Sequence, residues 1–347
     1  MSGDAIIGWD VGGAHLKAAR LGPGGVVEAV VQVPCPLWQG MEHLYQAVAQ
    51  ARGEVGEAPR HAVTMTGEMV DLFPSRADGV ARLAHAMDEQ LPGASVRFFG
   101  AESGFVDCAA AATIPNQIAS ANWLASAAVV AATQGTGLFV DVGSTTADLV
   151  PVRDGEVGAR GHDDAERLVT GELVYTGVVR TPVMAMAERV PVAGHWVPLI
   201  PEYFATAADV HRLTGDLPDC ADQHPTADGG PKTVEASARR LARMIGRDLE
   251  GADLSLWQAL AHWLSEAQLR RLADAADLLL SIGMLPPGTP VVGAGVGRFL
   301  AARLAAARGV KFIAFAELIG APAQLADAVS NCAPAVAVGW LGGRSEG

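Results

Sequence analysis

Two short stretches pair an acid with glycines and hydroxyls in a way that suits phosphate chemistry. In Phe139-Val140-Asp141-Val142-Gly143-Ser144-Thr145-Thr146-Ala147-Asp148-Leu149 an apolar run ends at an acid, a small polar turn follows, and a second apolar run returns. That pattern reads as strand, tight turn and strand. Backbone N–H groups and the hydroxyls of Ser144, Thr145 and Thr146 can cradle a phosphate there, as an anion nest does. Asp141, at the strand end, can hold Mg2+ through water.

The pattern recurs in Ile6-Ile7-Gly8-Trp9-Asp10-Val11-Gly12-Gly13-Ala14-His15-Leu16-Lys17. Lys17 falls on the returning strand. It either reaches a phosphate or sits on the solvent face of an edge, and the nearby Asp10 and glycine pair favour the phosphate. Two such bends in one chain suggest paired lobes facing a shared phosphate. A third cluster, Gly293-Ala294-Gly295-Val296-Gly297, lies between an apolar run and a helical one. It does not fit the dinucleotide fingerprint, but a strand, glycine turn and helix allow close approach of a nucleotide.

Other groups are weaker candidates. Glu68 follows a predicted strand over 61–66 and is either a substrate contact, as at strand ends of open α/β sheets, or a residue of a short turn. His162, Asp163, Asp164 and Glu166 form a dense run that is more often a solvated loop. Glu172 stands between apolar stretches; a carboxylate desolvated there favours its neutral form and suits proton transfer. The bland alternative is an ordinary glutamate at a helix start. The acids and histidines over 207–230, His211 among them, follow no zinc-ligand spacing.

The elements that must position these groups alternate between sheet and helix. Strands are expected over 5–11, 14–20, 26–33, 96–99 and 310–314, with helices over 40–52 and 76–90. Residues 118–132 and 331–340 read as small-residue helices that can pack closely. Residues 180–197 read as strands. Residues 233–283 read as helical in pieces, the last starting at a Ser265 cap. Gly135-Thr136-Gly137 is taken as the lobe boundary. Lobe I is then 1–134, completed by 331–347. Lobe II is 135–330, with a helical insertion over about 205–285. The fold class expected is α/β.

Composition narrows the function classes. A chain of 347 residues, 50% hydrophobic and with 40 glycines, can bury a core in each of two lobes. The net charge of -13 argues against nucleic acid and anionic membranes as partners. It leaves a small phosphorylated substrate open, because a metal supplies positive charge locally. Cys35, Cys108, Cys220 and Cys332 form no CxxC pair, so free thiols in a reducing, cytoplasmic setting are expected. The first residues run directly into a strand, and no signal peptide is read there.

The three glycine motifs, in their order, resemble the two phosphate motifs and the adenosine motif of the actin-like ATPase superfamily, whose two-lobed RNase H-like fold has mixed sheets and an interlobe cleft. Thr66-Gly67-Glu68-Met69, Gly171-Glu172-Leu173-Val174-Tyr175-Thr176-Gly177-Val178 and Arg180-Thr181-Pro182-Val183 further resemble the hydantoinase A/oxoprolinase family. Within it the likeness is to tetrahydromethanopterin-linked one-carbon-transfer proteins. That group includes the archaeal methanofuran-biosynthesis enzyme joining an aminomethylfuran-methyl diphosphate to γ-glutamyltyramine. The chain departs from the superfamily at Ala14-His15, where a small hydroxyl or Asn is usual; His15 could still donate to a phosphate.

The resemblance implies alkyl transfer to a phenol with diphosphate as leaving group. Asp10 and Asp141 would place Mg2+. Gly12, Gly13, His15, Lys17, Gly143, Ser144, Thr145 and Thr146 would cradle phosphates, with Gly293 and Gly295 lining the far side. Glu172 is the first expected base and His211 the second. The alternative is an ATP-dependent kinase or hydantoinase/oxoprolinase-type enzyme using the same cradle. A non-catalytic nucleotide switch is a third class.

Overall fold

The computed structural model describes residues 4–249 and 253–345. Residues 1–3, 250–252 and 346–347, into which the expected lobe I, its closing segment and the insertion extend, lie outside the described residues. Two compact units form. The first holds the residues up to Gly137, Val150–Glu166 and the residues from Ile313 on; the second holds Leu138–Leu149 and Arg167–Phe312.

The first unit is built on a six-stranded sheet of β1 (Ile6–Val11), β2 (His15–Leu21), β3 (Val27–Pro34), β4 (Arg60–Met65), β5 (Ser95–Gly100) and β6 (Gly104–Val106), in the order β3-β2-β1-β4-β5-β6. β1 pairs antiparallel with β2 and parallel with β4. Side chains alternate across a strand. Ile7, Trp9 and Val11 therefore enter one core, with Leu44 and Val48 of the helix Met41–Val55 and Val80 and Leu83 of the helix Arg76–Gln90. Gly8 and Asp10 face the other way.

That opposite face is covered by the helix Ala333–Gly342. A Cβ on Gly8 would lie 2.0 Å from the Ala335 carbonyl oxygen and 2.6 Å from the Gly339 nitrogen, so the helix rests on bare backbone. Gly339 meets Gly8, and Gly342 meets Ile6. The helix thus runs against the direction of β1 and begins toward the Asp10 end. It also packs on the helix Asn122–Gln134, as the small residues of both suggest. The expected start at 118 is displaced. A short helix, Pro115–Ile118, stops there, and Ser120 has φ +52°, a left-handed conformation that no helix continues through.

A second sheet is formed by β7 (Gly137–Val142), β8 (Ala147–Arg153), β10 (Leu173–Val174), β13 (Val291–Ala294) and β14 (Phe312–Ala314), in the order β10-β8-β7-β13-β14, with β9 (Glu156–Val157) beside β8; β7, β10, β13 and the start of β8 carry it in the second unit. A two-stranded ribbon of β11 (Arg189–Val192) and β12 (His195–Pro198) covers less than the strands expected over 180–197. Residues 183–185 instead form a single 3-10 turn behind Pro182. Leu254–Ser281 is one continuous helix of 28 residues. Ser265 does not cap it; it lies buried in mid-helix and accepts a hydrogen bond from Arg303 at 2.9 Å. No Gly or Pro interrupts the run, so nothing breaks it.

Residues 150–166 and 313–330, expected in lobe II, belong to the first unit. The Gly155 N–H donates to the Gly135 carbonyl at 2.9 Å, and Arg76 binds Asp164. Among the described residues no helix is long and apolar enough to cross a membrane.

Candidate active site

In the first unit, strand register builds the site. Asp10 on β1 stands opposite Lys17 on β2 and Thr64 on β4, so the three form a row across one face of the sheet. Lys17 Nζ donates to Asp10 Oδ2 at 3.1 Å, and the aspartate side chain is 3% exposed. Asp10 Oδ1 and Thr64 Oγ1 are both buried without a hydrogen-bond partner. The bend is closed by the Gly12 N–H donating to the His15 carbonyl at 3.0 Å. His15 is itself buried.

The segment after β4 folds back onto this bend. The Thr66 N–H donates to the Val11 carbonyl at 2.9 Å. A Cβ on Gly67 would stand 3.1 Å from Val11 O and 3.3 Å from Gly12 C, so the two segments approach closely at this glycine. Glu68 is thereby drawn in and is 1% exposed. Ser120 Oγ lies 3.0 Å from Glu68 Oε1 and 3.3 Å from Asp164 Oδ2, which Arg76 also binds at 2.8 Å. Burial pushes the Glu68 carboxyl above the usual carboxylate range. The structure thus joins Glu68 and Asp164, which the sequence leaves open, to Arg76 and Ser120, which sequence reasoning missed. The only signal for Ser120 was its polar interruption of an apolar run.

In the second unit, backbone does what side chains do in the first. The bend after Asp141 is closed by the Gly143 N–H donating to the Thr146 carbonyl at 2.8 Å. Segment 177–180 then straps it: N–H groups of Gly177, Val178, Val179 and Arg180 donate to carbonyls of Thr145, Gly143, Ser144 and Ser144. With those carbonyls and the Gly143 N–H engaged, the N–H groups of residues 144–146 and the hydroxyls of the turn are the groups left for an anion. A Cβ on Gly177 would fall 2.3 Å from Ser144 C. Gly295 has φ +80°, and a Cβ there would lie 2.2 Å from Val142 O and 2.4 Å from Asp141 Oδ1. The third glycine cluster therefore backs the Asp141 strand directly, and Gly293, on β13, is paired with Val140.

The two expected bases are both buried. Glu172 accepts from Thr170 Oγ1 at 2.9 Å, and its backbone is tied to Arg167 and Leu149. Arg167 in turn binds Asp148 at 2.8 Å. His211 Nε2 is 2.7 Å from Gln268 Oε1, and the Gln268 amide donates to the Thr176 and Gly177 carbonyls. Burial drives the His211 ring down to about 4, so it is neutral. It braces the strap behind the Asp141 bend.

Among the described residues no three His, Cys, Asp or Glu side chains gather to hold a metal. Mg2+ does not require that; it is commonly held by one or two carboxylates with waters and substrate phosphates completing the shell. The open Oδ1 of Asp10 fits such a ligand.

The family model for hydantoinase/oxoprolinase matches residues 60–332. The chain is 29% identical over 246 residues, 71% of its length and 72% of the relative's, to "(4-{4-[2-(gamma-L-glutamylamino)ethyl]phenoxymethyl}furan-2-yl)methanamine synthase" of Methanocaldococcus jannaschii. It is 30% identical to the synthase of the same name from Methanococcus vannielii over 36% of this chain and 57% of that one. Among solved structures, nucleotide-free acetone carboxylase, an enzyme of ATP-dependent acetone carboxylation, superposes with a TM-score of 0.56 over 96% of this chain and 70% of that one at 10% identity. At that identity the likeness speaks for fold alone. The α/β fold with two mixed sheets is of the actin-like ATPase type, and the chain belongs to the hydantoinase/oxoprolinase family.

Proposed function

We propose that this protein is a transferase that joins an aminomethylfuran-methyl diphosphate to the phenol of a glutamyltyramine-type acceptor, releasing diphosphate. The observation that carries this is the match over 71% of the chain to a relative named for the resulting phenoxymethylfuran. The reaction belongs to methanofuran or methylofuran cofactor biosynthesis, which serves tetrahydromethanopterin-linked one-carbon transfer. Its partners are small phosphorylated molecules in the cytoplasm, not nucleic acid or membrane.

The chemistry follows from the bond made. The phenol oxygen forms a bond to the furanylmethyl carbon while the bond from that carbon to diphosphate breaks, its electron pair leaving with the diphosphate. The furan ring spreads positive charge at the reacting carbon, so the larger demand is stabilising the departing anion. Lys17 supplies a fixed cation beside Asp10. Gly13 and residues 144–146 supply N–H groups, those of Gly12 and Gly143 being spent on closing the two bends. Asp10 in the first unit and Asp141 in the second are each proposed as a ligand for Mg2+, which when bound would neutralise diphosphate charge. The phenol, with an ordinary pKa of about 10, needs a proton acceptor.

The purified protein with Mg2+, the furan diphosphate and γ-glutamyltyramine is expected to release diphosphate and form the ether, read by phosphorus NMR and mass spectrometry. ADP formed from ATP, with no diphosphate from the furan substrate, sinks this reading in favour of a kinase or oxoprolinase-type reaction. Asp141→Asn is expected to abolish turnover with the fold intact.

A further inference from the structure

Ser120 carries one hydroxyl proton, yet its Oγ lies within hydrogen-bond distance of two carboxyl groups, Glu68 Oε1 at 3.0 Å and Asp164 Oδ2 at 3.3 Å. A hydroxyl donates once. Both contacts are hydrogen bonds only if one of the two acids carries a proton and donates to Ser120. The surroundings decide which. Asp164 is 12% exposed and has the Arg76 guanidinium as a charged donor at 2.8 Å. Glu68 is 1% exposed, and its Oε2 is buried with no hydrogen-bond partner.

The backbone is shaped to hold this arrangement. Ser120 sits at φ +52°, a conformation that costs a residue with a side chain and that clusters at functional positions. Gly79 leaves room for the neighbour; a Cβ there would fall 2.8 Å from Glu68 Cβ. Gly67 sets Glu68 beside the Gly12 bend.

We propose that Glu68, Ser120 and Asp164 form a proton wire that removes the phenolic proton of the acceptor. This rests on the transferase reading above. Glu68 Oε2 takes the proton as the ether bond forms; Oε1 gives its own to Ser120 Oγ; the Ser120 proton passes to Asp164 Oδ2. Asp164, the more exposed end, then yields it to solvent. Each residue in the chain gains one proton and loses one, the Glu68 proton ending on Oε2 in place of Oε1, and no other reactant is needed. Glu68, not Glu172 or His211, is the acceptor on this view. Ser120 and Asp164 act through it as positioning residues. The charged groups facing Glu68 among the described residues are Asp164, which raises its pKa further, and Arg76, which opposes that rise.

Two measurements test the wire. Infrared difference spectra of wild type against Glu68→Gln, taken where ordinary carboxyls are ionised, should show a protonated carboxyl band lost in the variant and shifted in Ser120→Gly. Glycine tolerates the φ of +52° and removes the hydroxyl together with its Cβ, and a thermal melt checks the fold. In turnover, Glu68→Gln should lower kcat about a hundredfold. Ser120→Gly should lower it about tenfold at unchanged KM and alter the pH profile. No protonated band, or a Ser120→Gly enzyme with wild-type kcat and pH profile, overturns the wire while ether formation stands. If wild type forms no ether at all, the transferase reading falls, and the infrared band alone still decides whether the proton is shared.

Discussion

Two aspartates, one in each unit, are equally hidden from solvent and are treated in opposite ways. Asp209 in the second unit is 2% exposed and fully engaged. Its Oδ1 accepts from Arg240 at 2.7 Å and Ser237 at 2.8 Å, and its Oδ2 accepts from the Thr206 N–H at 3.1 Å. Asp10, also 2% exposed, has one oxygen on Lys17 and the other buried with no hydrogen-bond partner. A buried polar atom left unsatisfied is costly, and its retention calls for a reason beyond stability. The first aspartate holds its unit together. The second leaves one oxygen unengaged, as the proposed role in holding Mg2+ requires.

Replacing each gives the largest expected contrast. Asp209→Ala strands the wholly buried Arg240 guanidinium with only Asp228 and the Pro231 carbonyl, and should cost about 3–5 kcal/mol in denaturant unfolding. Asp10→Asn should change stability by no more than about 1 kcal/mol and abolish turnover. Equal losses of stability at the two positions would remove the distinction.

Acid should strike both units over one window. His61 in the first unit and His211 in the second are each driven by burial down to about 4. Each is neutral in the folded chain and takes a proton near 6.5 when unfolded. Stability from these groups is present above 6.5 and is lost as pH falls toward about 4, on the order of 3 kcal/mol for each. Hydrogen exchange resolved on the two units should show parallel loss of protection from pH 6.5 down to 4. Loss confined to one unit would mean that the other histidine is not held neutral.

The glycines separate the units again, by what a methyl group would meet. At Gly177 it meets backbone, Ser144 C at 2.3 Å; at Gly13 it meets the end of a side chain, Val70 Cγ1 at 2.8 Å. A valine methyl can turn aside and a peptide cannot. Gly177→Ala should therefore cost about 3 kcal/mol and Gly13→Ala about 1 kcal/mol in thermal unfolding. The reverse order would show that the Asp141 bend is the more pliable of the two.

These contrasts explain what the sequence could show. The acid-led bends were legible because strand, glycine turn and strand is a local pattern, and so was the helix Arg76–Gln90, with its Ser75 cap accepting from the Asp78 N–H. The strap over 177–180 was not: its donors reach the 143–146 turn across more than thirty residues of chain, and no spacing rule encodes that. Glu68, Ser120 and Asp164 were equally hidden, since three separate segments bring them together. The excursion of Val150–Glu166 into the first unit depends on such long-range contacts as well. Helix breaks failed in both directions. A run of small residues read as one helix concealed the left-handed Ser120, and a serine that looked like a cap at 265 lies in mid-helix.

The smallest expected effects differ in sign. Thr64 and Thr181 are both buried, one in each unit. Thr181 Oγ1 donates to the Gly177 carbonyl at 2.8 Å, anchoring the strap, whereas Thr64 Oγ1 has no hydrogen-bond partner. Valine keeps the shape and removes the hydroxyl. At 181 the change forfeits a satisfied bond and leaves the Gly177 carbonyl with the Gln268 amide as its side-chain donor, so Thr181→Val should destabilise by about 1 kcal/mol. At 64 it replaces a buried, unsatisfied polar atom by a methyl, so Thr64→Val should be neutral or stabilise by up to about 1 kcal/mol. Urea unfolding of the two variants, each against wild type, reads the difference directly. If Thr64→Val proves as damaging as Thr181→Val, its hydroxyl is already satisfied in solution, through ordered water beside Asp10, and that corner of the first unit is built as tightly as the second.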